Sequence, residues 1–391
     1  MPRSRNVAVL AGSIFGLSMA EELWQQFLPK YIAALGAGGR TIGAFASVRD
    51  LLDGLYQYPG GWLADRFGRK RALMLMTAIA MLGYVVYAVA GTGPAVIAGL
   101  FLVMAWKSGA FPTTFAVVGD ALPKERRSVA FAVQSVLVRV PRVIGAPIGG
   151  ALIVALGVVA GVRAALLASI TIAALVLLAQ QIGFADAEAT TAADRSSARV
   201  VWQRMAPSLK RLLAADALVR IGEGIAASFI VLYVTGPLGR SAAAFGVLYA
   251  IQQSVAIVMY LPMGRLADLT GRRPLVAATF VAFAAFPVAV RFAHGWPALV
   301  AAFVVGGLKE MGEPARKAMI VDLSDPAHRA RSVGVYYTIR NLLVVPAGAF
   351  GGWLYTREPG LPLMVAGAVG AIGVIVYLAT TRRAEVKSPR S

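Results

Sequence analysis

The chain has 391 residues, of which 58% are hydrophobic and only 15% charged, and its mean hydropathy is +0.70. Soluble domains carry about 25% charged residues, so a water-soluble globule is excluded and a membrane-embedded chain is expected. The net charge of +19 would suit nucleic acid, but no basic stripe interleaved with aromatics is present, and that class of partner is set aside. With no cysteine and two histidines, His294 and His328, both in polar breaks, disulfides and zinc-like metal clusters are excluded and no cofactor is expected.

A helix crosses a bilayer with roughly 20 mostly apolar residues, and twelve such stretches are predicted in chain order. They lie near 7–35, 41–64, 71–92, 95–120, 128–157, 162–184, 209–236, 241–267, 274–293, 297–322, 331–356 and 361–381. Arg3 and Arg5 ahead of an apolar run ending in "SMA" at 18–20 imitate a cleavable signal. The apolar pattern nevertheless continues through "LWQQFLPKYIAALG", so this segment is read as the first span. Residues 185–208, rich in Ala, Ser, Thr and charge, are read as a cytoplasmic linker between bundles 1–184 and 209–391. Its later part, "RVVWQRMAPSLKRLL", mixes basic and apolar residues and suits the inner membrane surface.

Most of the 38 Lys and Arg fall in the N-terminus, the breaks after even-numbered spans, and the tail, whereas the opposite breaks hold only Arg40, Arg163, Arg240, Arg291 and Arg357. This positive-inside bias predicts that both termini are cytoplasmic, in a bacterial inner membrane, with lipids as surroundings and the chain a monomer.

The sequence is also written twice. "GWLADRFGRK" at Gly61 returns as "GRLADLTGRR" at Gly264; Lys107, Pro112 and Asp120 match Lys309, Pro314 and Asp322 at constant offset; "RSVAF" at 127 matches "RSVGV" at 331. An even number of spans per copy keeps the copies parallel. Two parallel six-helix halves, each with G-x-L-A-D-x-x-G-R-[KR] after its second helix, resemble the major facilitator superfamily of secondary transporters. The resemblance implies an all-α membrane fold, twelve transmembrane helices as two six-helix pseudo-repeats around a central cavity. It also implies a conformational latch of Gly61, Asp65, Arg66, Gly68, Arg69 and Asp120, repeated as Gly264, Asp268, Gly271, Arg272 and Asp322. Asp65 would meet the segment at Arg331, Arg69 would meet Asp120, Asp268 would meet Ser128, and Arg272 would meet Asp322. Leu269 stands where the first copy has Arg66. From the residues themselves, Gly61 and Gly68 are expected to let backbones approach closely.

Ionisable residues in a span cost several kcal/mol and normally face a water-filled cavity or a partner. Here they are numerous: Glu21, Glu22, Arg49, Asp50, Asp53, Lys107, Arg139 and Arg142 in the first half, and Asp216, Arg220, Glu223, Lys309, Glu310, Glu313, Arg316, Lys317 and Arg340 in the second. Spacings of three and four put Arg49 with Asp53, Asp216 with Arg220 and Glu223, and Lys309 with Glu313 and Lys317 on common helix faces. Glu21, Glu22, Asp53, Glu223 and Glu313 are the candidate proton carriers, with Glu22, Asp53 and Glu223 favoured for their mid-span positions. The remaining charges are candidates for the substrate cavity. Pro141, Pro147, Pro314 and Pro346 are expected to break the fifth, tenth and eleventh spans.

The function expected is secondary active transport of a small polar or charged solute by alternating access, with protons as the coupling ion. "PRVIGAPIGG" resembles the exporter motif of family antiporters, although Pro147 falls one place late, so efflux is slightly favoured. The alternatives are proton-coupled uptake of an organic anion and, in another class, a transport-inactive sensor or scaffold. Enzymatic catalysis is not expected, and no phosphate-binding loop for an ATP-driven pump is present.

Overall fold

A computed structural model describes the chain apart from residues 1, 57–62, 64–65, 110–123, 185–201, 204, 324–328 and 387–391, and gives only the backbone for some helical residues beside these gaps. Among the described residues every regular element is a helix. They are α1 (Pro2–Glu22), α2 (Leu28–Ala34), α3 (Gly39–Leu55), α4 (Arg69–Val89), α5 (Gly93–Met104), α6 (Lys124–Leu156), α7 (Val158–Gly183), α8 (Pro207–Thr235), α9 (Ala242–Thr270), α10 (Arg272–Phe292), α11 (Trp296–Leu308), α12 (Glu313–Asp322), α13 (Arg329–Tyr355) and α14 (Leu361–Val386). Eight of them contain segments long and apolar enough to cross a bilayer, with Gly93–Ser108 and Trp296–Leu308 as shorter apolar helices. Leu167, Leu175, Leu178 and Ile182 of α7 are each more than half exposed. Such an apolar stripe needs lipid rather than water.

The chain divides into two compact units, Met1–Ala193 with Leu238–Ala250, and Asp194–Pro237 with Ile251–Ser391. In the first, α1 packs on α6 and α7, and α4 on α5 and α7; in the second, α8 packs on α13 and α14, and α10 on α11 and α14. The duplicated sequence therefore makes the same contacts twice. Leu238–Ala250 groups with the first unit because the start of α9 meets α6 at backbone distance, a Cβ on Gly246 falling 2.5 Å from the Ala146 carbonyl.

The glycine pair of the repeated motif has a different role from the one expected. Gly68 and Gly271 hold φ of +81° and +83°, and a Cβ at either would meet nothing within 4 Å among the described residues. They are required for the left-handed turn that starts α4 and α10, a conformation costly for residues with a Cβ, and not for close packing.

Helix interruptions also differ from expectation. Pro141 and Pro147 lie inside the continuous α6, and Pro346 inside α13. The breaks come elsewhere. The first span stops at Glu22, passes through a 3-10 turn at Gln25–Phe27 and resumes at Leu28; the fourth passes into a π turn at Ala105–Gly109, up to the last residue described there; the tenth unwinds over 309–312 between α11 and α12. In a bilayer each freed backbone group needs a new partner. Ser169 donates its hydroxyl to the Ala20 carbonyl at 2.6 Å beside the first break. Gly312 N–H donates to Thr279 Oγ1 at 2.8 Å in the third. The tenth span thus breaks as expected, just ahead of Pro314, which stands one residue inside α12 as a helix starter.

Candidate functional site

Each unit gathers its charges around its own interrupted helices. In the first unit, Glu21 and Glu22 close the last turn of α1 and are 7% and 4% exposed. Being adjacent on a helix, they face different neighbours. Glu22 turns to α6, where Arg142 Nε lies 3.2 Å from Oε1, and Gln26 Nε2 donates to its Oε2 at 3.1 Å and reaches Tyr249 Oη at 3.0 Å. Glu21 turns to α4, where Tyr84 Oη donates to Oε1 at 3.3 Å. Among the described residues no Lys or Arg forms an ion pair with Glu21. Trp24 wedges the break open, its ring edge-on to Tyr84 and Tyr87 at centroid distances of 5.6 and 5.4 Å.

The π turn of the fourth span supplies the other side of this cluster. Lys107 Nζ donates to Gln25 Oε1 at 2.6 Å, and the next residue, Ser108, donates to Asp53 Oδ1 of α3 at 2.5 Å. One extra residue per turn lets consecutive side chains address two different helices, the use to which π turns at functional sites are put. Arg49 pairs with its neighbour Asp50 at 3.2 Å, so the expected common face of Arg49 and Asp53 resolves into two separate contacts. Arg139, half-buried on α6, has further partners of its own.

The second unit builds a denser network at the equivalent positions. Arg220 binds Glu223 at 2.8 Å and Glu313 at 3.4 Å, and lies 3.9 Å from Asp216. Lys309, the repeat partner of Lys107, binds Glu223 at 2.6 Å. Arg316 is 1% exposed and joins Asp216 to Glu313, the latter at 2.5 Å; Tyr336 donates to Asp216 Oδ2 at 2.9 Å. The expected ladder of Lys309, Glu313 and Lys317 is broken by the unwound turn at 309–312, because only residues on one continuous helix keep the four-residue register. Lys317 still pairs with Glu313 at 3.6 Å, while Lys309 turns to α8. Glu310 is half-buried on that turn. Phe283 is stacked by both cations, Arg220 at 4.6 Å and Lys309 at 5.2 Å from its centroid.

The buried Asp216–Arg316 pair carries a stability prediction. Removing one member of a buried pair leaves an uncompensated charge and costs about 3–5 kcal/mol. Arg316→Met is therefore expected to lower the unfolding temperature of the purified protein sharply, with Asp216→Asn less severe because Tyr336 can still bond the amide oxygen. An unfolding curve for Arg316→Met that superimposes on wild type would show that the pair is not structural.

Of the motif residues, Gly61, Asp65 and Asp120 lie outside the described residues, and the side chains of Arg69 and Asp268 and the surroundings of Gly264 are likewise undescribed. Arg66 is exposed, its guanidinium 5.8 Å from the Phe67 ring. Arg272 and Asp322 form an ion pair, partly and largely exposed respectively. Uncharged members of the sites, namely Tyr84, Gln25, Gln26, Ser108, Tyr249 and Tyr336, were not found by a search for charges. Only the polar pair "QQ" inside an apolar span could have signalled them.

The Major Facilitator Superfamily model matches residues 8–213 and 212–391. The chain belongs to the Major Facilitator Superfamily. A facilitator of Methanocaldococcus jannaschii, named as an uncharacterised MFS-type transporter, is 21% identical over 96% of this chain and 94% of its own length. An uncharacterised MFS-type transporter of Bacillus subtilis is 23% identical, with the match covering 48% of this chain and 46% of that relative. The quinolone resistance protein NorA of Staphylococcus aureus is 23% identical over 41% of this chain and 42% of its length. The chain thus spans under half the length of these last two relatives in the matched regions. Among solved structures, a POT family transporter in complex with a thioalcohol-conjugated peptide superposes with a TM-score of 0.80 at 13% identity, covering 97% of this chain and 96% of its own. The nucleoside transporter NupG gives 0.75 at 14% identity, covering 98% and 99%. These likenesses establish the superfamily fold, a helical membrane architecture of two six-helix repeats.

Proposed function

We propose that this chain is a proton-coupled secondary transporter that exports a small polar or charged solute by alternating access from a bacterial inner membrane, with both termini cytoplasmic. The observation that carries proton coupling is Glu21, buried at the end of a broken helix with a tyrosine hydroxyl as its hydrogen-bond partner. Moving a carboxylate out of water is expensive for the anion and far less so for the neutral acid, so its charge depends on water or a partner reaching it. Glu22, Glu223 and Glu313 are each held by a cation, which makes them framework charges. Asp53, half-buried and bonded to Ser108, is the second carrier. The carriers favoured from mid-span position alone, Glu22 and Glu223, give way to Glu21. The choice of export rests on the kinship with a protein named for quinolone resistance and on "GAPIGG" in α6.

The test uses purified protein in proteoliposomes with an internal pH dye and a panel of amphipathic drugs, organic acids, sugars and peptides. Substrate-dependent proton flux out of register with solute movement, so that proton entry accompanies solute exit, is expected for at least one class. Solute movement with no proton flux would remove the coupling.

The latch reading is tested at the described pair. Exposed ion pairs contribute about 0–1 kcal/mol to stability, so Arg272→Gln is expected to leave unfolding unchanged while altering the transport rate and the accessibility of introduced cysteines on the two sides. Unchanged rate and accessibility together would leave Arg272 and Asp322 as a topology signal only.

A further inference from the structure

We infer that Arg340 of α13, backed by Tyr337 and Asn341, is the group that recognises a carboxylate on the transported solute; the inference rests on the transport reading above and names its substrate class. Within the predicted spans of the second half five central bases, Arg220, Lys309, Arg316, Lys317 and Arg340, stand with four acids, Asp216, Glu223, Glu310 and Glu313. Among the described contacts Arg340 has the longest approach to a carboxylate of these five bases. Arg220, Lys309 and Arg316 each hold a carboxylate at 2.8 Å or less. Arg340 instead approaches Asp216 Oδ2 only at 3.8 Å, and that oxygen already accepts from Arg316 and Tyr336.

The free edge of the guanidinium is occupied by a neutral substitute. Nε and Nη2, the two parallel donors that grip a carboxylate side-on, both point at the single amide oxygen of Asn341, at 3.3 and 3.0 Å. Asn341 is the next residue on the same helix, and its uncharged oxygen is a weaker acceptor than a carboxylate. The guanidinium plane lies 4.6 Å from the Tyr337 ring centroid, which fixes its orientation and stabilises its charge on one face. The side chain remains 16% exposed, whereas Arg316 beside it is 1% exposed and sealed into the network. An oriented, incompletely neutralised fork that is reachable and holds a displaceable neutral acceptor is a carboxylate site.

The full-length protein in detergent is tested by ligand-induced shifts in unfolding temperature, with benzoate and 1-naphthoate as probes and benzamide and 1-naphthamide as neutral controls. The carboxylates are expected to stabilise wild type and the amides not. Arg340→Gln is expected to weaken carboxylate binding about 10- to 100-fold, the loss of charge-assisted hydrogen bonds. Asn341→Ala, which removes the internal competitor, is expected to tighten it. Absence of carboxylate preference in wild type, or its survival in Arg340→Gln, overturns the inference. If Arg340→Gln does not elute as folded protein, Arg340→Lys decides: a point charge cannot make the two parallel bonds, so undiminished binding in that variant overturns it too. The two readings fail separately. Carboxylate binding without flux of any panel compound removes the transport reading alone, and proton-coupled flux of neutral solutes without carboxylate binding removes this site alone.

Discussion

Glu21→Gln is expected to reduce proton-driven accumulation to the background of empty liposomes while leaving solute exchange down its own gradient intact. Glutamine keeps the shape of the side chain and can still accept the Tyr84 hydrogen bond, so α1 and its break should survive; only the exchangeable proton is removed. The neighbouring Glu22 provides the contrast. Its replacement strips Arg142 of a carboxylate 3.2 Å away and should appear as lost stability rather than lost coupling. Asp53→Asn, which preserves the bond from Ser108, tests the second carrier in the same vesicles. Full coupling in Glu21→Gln together with its loss in Asp53→Asn would transfer the role to α3.

The second large effect concerns two glycines that the duplication put in matching places. A Cβ on Gly149 would collide with the Leu23 carbonyl oxygen and lie 3.2 Å from Phe27 Cε2; a Cβ on Gly351 would collide with the Ile225 carbonyl oxygen and lie 3.0 Å from Phe229 Cε2. Leu23 and Ile225, and likewise Phe27 and Phe229, are equivalents in the repeat. In each unit one helix therefore lies on the backbone of another, α6 on the first span and α13 on α8. Small residues permit such approach where hydrophobic burial offers no driving force between helices. Because the blocking atoms are backbone, relief requires moving a whole helix. Gly149→Ala and Gly351→Ala are each expected to destabilise their unit by about 1–3 kcal/mol, the usual range for overpacking, and the valine variants more. Gly334→Ala on α13 is the control: nothing lies within 4 Å of its added methyl, and alanine favours a helix by roughly 0.5–1 kcal/mol over glycine. Unfolding followed by tryptophan fluorescence reads all three, and a Gly149→Ala curve matching that of Gly334→Ala would disprove the contact.

The same repeat also shows where the halves diverge. Glu22 lies against Gly145 in the first unit, while its equivalent Gly224 lies against Ala347 in the second. Lys309 binds Glu223 directly, but its equivalent Lys107 binds Gln25 and not Glu21, since the broken first span moves Glu21 toward α4. One duplicated pattern has thus given an ion-paired framework in one unit and, in the other, an acid that forms no ion pair among the described residues. That asymmetry is what a coupled carrier needs: a fixed network and a group free to change its charge.

The number and order of spans and the parallel duplication were written in the sequence by itself, because they depend on composition, on charge bias and on a repeated motif. Hydropathy acts over whole segments, but the turn role of Gly68, expected to serve close packing, emerged only from its positive φ. Helical spacing likewise foretold Asp216, Arg220 and Glu223 as one group, since all three ride on α8. What only the tertiary structure decided was which charges are neutralised and where the helices break. Spacing constrains a residue's own helix and says nothing of the helix opposite, so Arg142 with Glu22, Lys309 with Glu223 and Arg316 with Asp216 were not legible. Pro141, Pro147 and Pro346 mark no break because in packed membrane helices a missing donor is tolerated where neighbours compensate, whereas the tenth span does unwind just ahead of Pro314. The interruption at Leu23–Phe27 and the π turn at Ala105–Gly109 contain no proline and are held by partners from other helices: Ser169, Tyr84, Gln25 and Asp53.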